Sequence, residues 1–318
     1  MPRRSQRASK SRISPCFHVI IALKVDQFFG DIVQPFDRFI GIDWTGAKGT
    51  RHAGLAVAVC ETGEETPRLV MPPSGGARWS RAELADWLTD GAGGGRVLVG
   101  IDSSFGMPFL DEGAYFPVTE SPQDVAHLWH SVHTLCGRDI DFYGGPFVDL
   151  HSAHYLRLGH RGNRYSRRMR VAENLAVASG AGPCESVFHL IGPSQVGLSG
   201  LSTMAMLHEL NEADRVVVWP FEDAGHTPVT VVEIYAAAFA SLGGHKGKIR
   251  DAGALEAILG TLGCIGRVRV DGGFDDHKAD ALVTSAALRA IAHDRKYWNP
   301  EQLSAMVRRT EGWIFGIV

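Results

Sequence analysis

Two apolar segments of this chain end in the same tripeptide, Gly-Ile-Asp, and they constrain its fold more than any other feature. Arg38–Asp43 reads RFIGID and Arg96–Asp102 reads RVLVGID. Near-continuous apolar runs of this length read as buried strands, each ending on an acid. An aspartate closing such a strand is costly to bury unpaired, so something positive should meet it. A third apolar stretch, Thr230–Tyr235, carries Glu233, and the clearest helix of the chain, expected over Asp275–His293, carries Asp276 and Asp280. Four residues apart, those two acids share a helix face. If the strands are neighbours, Asp43, Asp102 and Glu233 converge at one sheet edge and the helix lays Asp280 across it.

The order of elements narrows the architecture. After the first strand come a glycine-containing turn (Trp44–Thr50), a second strand (His52–Cys60) and a third near Arg68–Met71, the tight connections of an antiparallel meander. Ser80-Arg-Ala-Glu83 is a capping-box signature opening a helix to about Leu88. The strand ending at Asp102 follows. Three strands, a helix and a fourth strand parallel to the first make the opening of a ribonuclease H-like α/β fold, a mixed sheet flanked by helices. Residues 107–212 interrupt it with helix signals at Gln123–Cys136, Ser166–Ser179 and Ser202–Glu212, too long for a structureless loop. They read as a large helical insertion, after which the sheet resumes at Arg215–Trp219. The expected organisation is a basic, disordered extension over residues 1–36 and a single domain over 37–318, ending in a short helix from Pro300 and an apolar, strand-like tail (Gly312–Ile317).

Charge bears on partners. The chain has 32 basic and 35 acidic side chains, net −3. Six basic residues lie within the first 35, leaving a body of net charge −7. A globally basic nucleic-acid binder is thereby excluded, and phosphate chemistry would need local basic patches or metal ions. A carboxylate cluster repels itself unless cations sit in it, and hard oxygen donors suit Mg²⁺ or Mn²⁺. Two such ions can activate a water and stabilise the leaving oxygen of a phosphodiester. Taken singly, each acid is equally at home as a turn or helix cap. Five scattered cysteines with no C-x-x-C pair argue for a reducing compartment, and no stretch is long enough to span a membrane, so a cytoplasmic location without membrane contact is expected.

Taken in order, GIDWTGAKG (41–49), LVGIDSSFGMP (98–108), ESVFHLIGPSQVGLSGLSTMAML (185–207), VVVWPFE (216–222), VVEIYAAA (231–238), DDHKADALVTSAA (275–287) and EGWIFGIV (311–318) resemble the predicted RNase H-like nucleases of domain-of-unknown-function family four-two-nine. The resemblance covers roughly residues 38–318. It implies a ribonuclease H-like fold with a helical insertion and acids at Asp43, Asp102, Glu233 and Asp280, with Asp276 or His277 as helper, Asp276 preferred for a hard metal. The family's E-x-Y-P is here Glu233-Ile-Tyr-Ala236, a departure that touches a local turn.

Nucleic acid or a nucleotide is the expected substrate. Arg157, Arg161, Arg164, Arg167, Arg168 and Arg170 form a basic cluster, from which Arg164, Arg167 and Arg168 are the candidates for phosphate contact. A solvated helix face explains the cluster as well. Lys246 and Lys248 follow the Glu233 strand and can reach a scissile phosphate, or belong to a bare loop. His127, His130 and His133 recur every three residues, a spacing that drifts around a helix and favours ordinary histidines over zinc. Gly192–Gly197 is glycine-rich without being a Walker loop; it precedes a helix start where Ser199, Ser202 or Thr203 would hold an anion. Two other functions stay open. Asp43-Trp-Thr-Gly-Ala-Lys48 also resembles the first phosphate loop of sugar-kinase and actin-like phosphotransferases, for which Asp271–Phe274 is a poor second motif. A non-catalytic scaffold that keeps acids for structure is the other.

Overall fold

The computed structural model describes residues 35–192, 196–268 and 275–318, all within one compact unit spanning Val33–Val318. The sequence readings at residues 1–34, at Pro193–Gln195 of the glycine-rich stretch and at Asp271–Phe274 lie outside the described residues.

The chain is a mixed α/β protein with helices flanking a mixed sheet. Strands β1 (Arg38–Asp43), β2 (Ala56–Glu61), β3 (Arg68–Leu69) and β4 (Val97–Asp102) are followed by a small three-stranded sheet of β5 (Leu156–Arg157), β6 (His160–Arg161) and β7 (His189–Leu190), then β8 (Val216–Trp219) and β9 (Val229–Glu233). The main sheet has the order β3-β2-β1-β4-β9-β8. The β1–β2–β3 meander is antiparallel, whereas β4 runs parallel to β1, β9 to β4, and β8 to β9. The buried runs of β1 and β4 lie side by side inside the sheet, as suits strands apolar on both faces.

Ten helices are described: α1 (Arg81–Thr89), α2 (Val125–Leu135), α3 (Gly145–Leu150), α4 (Val171–Ala178), α5 (Val196–Asn211), α6 (Ala236–Leu242), α7 (Ala252–Thr261), α8 (Asp276–Ile291), α9 (Arg295–Trp298) and α10 (Ala305–Thr310). Ser80 caps α1 by accepting from the Glu83 N–H at 3.1 Å, but Glu83 does not return the bond; its carboxylate takes the Ser74 N–H and the Arg51 guanidinium instead. Helix α8 lies on β1, β2 and β4 and packs against α6. On the opposite face Ile40, Ile42, Val99 and Ile101 join one apolar core with Leu84, Leu128, Trp129, Leu201 and Ala205, contributed by α1, α2 and α5.

The 107–212 segment carries α2 to α5; α3 lies where the sequence reads as loop, and α5 begins at Val196, six residues before the expected start. The segment adds the β5–β7 sheet, whose strands are too short to show periodicity in the sequence. Helix α4 starts at Val171, not near Ser166; in the residues before it, the Arg168 and Arg170 side chains turn inward while Ser166 and Arg167 stay exposed. Further on, Tyr235 does not extend β9 but begins α6, and the C-terminal tail makes only an isolated bridge, Ile314 beside Glu233.

Candidate functional site

Strand register places two of the acids side by side. Asp43 and Asp102 are register partners at the carboxyl ends of adjacent parallel strands, and the residues two before each, Gly41 and Gly100, are partners as well. Side chains alternate faces along a strand, so all four positions look toward α8. Gly41 and Gly100 have no side chain to hold the helix off, and α8 settles onto them. Its first turns then carry His277 and Asp280 to the strand ends.

Asp43 is buried, and its Oδ2 lies 2.6 Å from Nδ1 of the half-exposed His277. Burial raises the carboxyl above its usual range against the pull of that imidazole. The same hydrogen bond lifts His277 to about 9, so the ring is a cation at neutral pH. Asp102 is pushed well above the carboxylate range by burial, then by the charges of Asp43 and Asp280, while the Ala236 N–H at 3.3 Å pulls the other way. Asp280 is pushed up to about 7, by burial first and then by Asp43 and Asp276. Three carboxyl groups thus crowd one corner at electrostatic cost to each. Asp276 stands at the rim, 2.7 Å from the exposed Lys248, which keeps its carboxyl low.

A cleft of about 430 Å³ opens beside this corner; Asp102 and Asp280 line it with Trp44, Tyr235 and Lys248, and Glu233 with Arg170 lines it too. Trp44 is fixed by a 2.8 Å hydrogen bond from its indole Nε1 to Ser202 Oγ.

No family model, curated protein or solved structure matches this chain.

Glu233 is placed otherwise than a fourth ligand would be. Its register partner on β4 is Ile101, not Asp102. One residue out of step, it faces the insertion instead of α8. There both its oxygens meet the buried Arg170 guanidinium, Nη1 to Oε2 at 2.8 Å and Nη2 to Oε1 closer still, and Oε2 also accepts the Phe105 N–H at 2.8 Å. Arg170 in turn binds Glu173 through Nε at 2.8 Å and the Glu311 carbonyl at 3.0 Å. Burial opposes the charge on Arg170, but the two carboxylates hold it firmly protonated. A carboxylate engaged this way is a poor partner for a metal ion.

The other candidates divide. Arg168 is a buried structural cation, bonded to Asp111 and to the carbonyls of Pro108, Ala114 and Tyr115, which corrects its expected role at an open phosphate surface. Arg167 pairs with Glu185 and Arg157 with Asp149, while Arg164 is exposed. Lys246 is an exposed loop residue two before Lys248. The helix hydroxyls are used internally: Ser199 and Ser202 donate to carbonyls one turn back and Thr203 bonds Ser103. His127 and His133 pair with Asp124 and Glu209, and His130 meets His208 at 3.4 Å.

As a donor set, Asp43, Asp102 and Asp280 offer the oxygens a hard divalent cation prefers. Among the described residues no three Asp, Glu, His or Cys side chains converge tightly enough to hold an ion in the positions seen here. The three acids are coupled through charge without meeting at a point. Among the described residues, too, no helix is long and apolar enough to cross a membrane.

The crowding has a consequence for stability. Asp280 titrates near about 7 in the fold and near ~3.9 when unfolded. Folding therefore favours its protonated form, and stability falls as pH rises from about 4 through about 7. His277 works in the same direction: held at about 9, it stabilises fully below its ordinary 6.5, and that contribution is lost as pH climbs through about 9. Asp280→Asn is expected to remove the Asp280 share of the lower limb and ease the repulsion on Asp43 and Asp102, stabilising the protein at pH 8 by on the order of 1–3 kcal/mol while leaving the upper limb. Urea unfolding at pH 5 and pH 8 measures both; a variant no more stable than wild type at pH 8 contradicts the crowding.

Proposed function

We propose that this chain is a metal-dependent phosphodiesterase acting on nucleic acid or a nucleotide, built on a ribonuclease H-like sheet. The observation that carries the reading is the placement of Asp43 and Asp102 as register partners on adjacent parallel strands, with Asp280 delivered to the same face by α8. The antiparallel meander β3-β2-β1 with β4 and β9 added in parallel supports the fold assignment, as does the resemblance of the strand and helix motifs to the RNase H-like family.

Asp43, Asp102 and Asp280 would hold the divalent ion, Mg²⁺ or Mn²⁺, with Asp276 beside them; Glu233 is occupied by Arg170 and takes no part in the ligand set. Such an ion supplies Lewis acidity toward a phosphoryl oxygen and a bound water of lowered pKa. The chain's own contributions are distinct. His277 Nδ1 fixes one oxygen of Asp43 and leaves the other without that bond. Arg170 locks β9 and the insertion against one another, which sets the wall of the cleft opposite α8. Lys248, which lines the cleft and pairs with Asp276, would meet a phosphate of the bound substrate.

The test is cleavage of RNA-containing, branched and mononucleotide substrates by the purified chain with Mn²⁺ or Mg²⁺, compared with Asp43→Asn. Loss of a metal-binding carboxylate should lower the rate by about a hundredfold or more. Equal activity in wild type and Asp43→Asn would overturn the site. Thermal stabilisation by ATP beyond that of metal alone would favour the phosphotransferase reading. Calorimetry with no divalent binding would favour the scaffold.

A further inference from the structure

Away from the acidic corner, the loop after Pro108 and the segment from His154 to Arg168 enclose a smaller pocket of about 250 Å³. One of its lining residues is His154, only 6% exposed, whose ring Nε2 is buried without a hydrogen-bond partner. Leaving such a group unpaired costs roughly 1–3 kcal/mol. The surroundings are cationic: Arg164 and Arg168 both line the pocket, and burial together with their charges keeps the His154 imidazole neutral. Arg164 is exposed, and its guanidinium has no carboxylate partner among the described residues. Ser166 adds an exposed hydroxyl, and Phe188 and Pro117 supply apolar walls.

Two acids temper this charge. Asp111 is bonded to Arg168, and Glu112 lines the pocket from the exposed loop. That leaves Arg164 as the uncommitted cation, in a body whose overall charge is negative. At the rim, Val118 holds φ +67° with its side chain 90% exposed. A β-branched residue in the left-handed region is strained, and such strain collects where a loop is shaped around a ligand.

An oxyanion answers these features together. It accepts from an unpartnered guanidinium and a hydroxyl, and it gains from positive potential in a recess partly shielded from water. We propose that this pocket binds the phosphate group of a phosphate monoester. A recess of about 250 Å³ has room for a terminal phosphate and not for a strand running through it. The site stands apart from the acidic corner, and the proposal holds whether or not the chain is a nuclease.

Calorimetric titration of the full chain with inorganic phosphate, against chloride at matched ionic strength, tests it. Phosphate should bind and chloride should not compete. Arg164→Gln, a change at an exposed side chain that the fold tolerates, should weaken binding about tenfold or more, the worth of one charge-assisted hydrogen bond. Ser166→Ala should weaken it less. In ¹⁵N-histidine spectra of the wild-type protein, phosphate should shift the ring signals of a single buried histidine. Absence of phosphate binding, equal affinity in Arg164→Gln, or binding with every histidine ring unmoved would each overturn the proposal. A 5′-phosphorylated oligonucleotide that outcompetes its 5′-hydroxyl form assigns the phosphate to a strand end. Competition by a small phosphate ester alone assigns it to a free metabolite.

Discussion

Arg170→Met is expected to destabilise the protein by about 3–5 kcal/mol, because it removes the cation from a buried carboxylate pair and leaves both acids uncompensated. Glu233 and Glu173 are 2% and 3% exposed, and the guanidinium binds both. It also donates to the carbonyl of Glu311. Glu311 is itself buried and uses its carboxylate to accept the N–H groups of Phe109, Leu110 and Val171 at 2.7–2.8 Å. One guanidinium therefore ties together β9, the start of α4 and the C-terminal segment. Methionine fills a similar volume without a charge, so the loss reads as electrostatics and not as a cavity. The double variant Arg170→Met/Glu233→Gln should recover part of the loss by neutralising one of the stranded carboxylates. Urea unfolding of the three proteins gives the comparison. A single variant within about 1 kcal/mol of wild type would mean that the network contributes little.

How far this site was legible in the sequence depends on which physical signal each residue leaves. Asp43 and Asp102 stand at the ends of apolar runs that read as buried strands, so their adjacency follows once the element order pairs those strands in parallel. Asp280 follows from helical spacing. Glu233 sits in an equally apolar strand, but which face it takes depends on pairing register, and a one-residue offset sends it to the opposite side. Nothing local encodes that offset. Arg170 is missed for a related reason. Six arginines within fourteen residues read as one patch, while folding sends Arg168 and Arg170 inside to separate partners and leaves Arg161 and Arg164 in solvent. The one local hint is the Glu three residues after Arg170, whose carboxylate returns to the Arg170 N–H at 2.9 Å at the start of α4. His277 is legible as a neighbour of Asp280, but its bond to Asp43 spans the whole domain and needs α8 to lie directly on β1. That close approach is where fold and site depend on the same residues.

Two glycines in register make it possible, and they differ in what they tolerate. A Cβ on Gly41 would stand 2.2 Å from the Ala281 carbonyl oxygen and 2.6 Å from the Ser285 nitrogen, both backbone atoms of α8. The helix could accept it only by moving bodily away from β1. A Cβ on Gly100 would meet side-chain methyls instead: Leu288 Cδ1 at 2.9 Å, Ile234 Cγ2 at 3.0 Å and Thr284 Cγ2 at 3.3 Å. Those can rotate or shift by tenths of an ångström. Gly41→Ala is accordingly expected to cost about 3 kcal/mol or more, and Gly100→Ala about 1 kcal/mol, although the chemical change is the same. The larger displacement should also reach the acidic corner, because moving α8 off β1 withdraws His277 from Asp43 and Asp280 from Asp102. His277 reports this directly. Its titration midpoint, about 9 with the Asp43 contact in place, should fall toward its ordinary 6.5 in Gly41→Ala, at a temperature where the variant is still folded. In Gly100→Ala it should stay near the wild-type value. If both variants titrate alike, α8 yields by some local adjustment of its backbone, and the glycine pair does not set the distance between the helix and the strand ends.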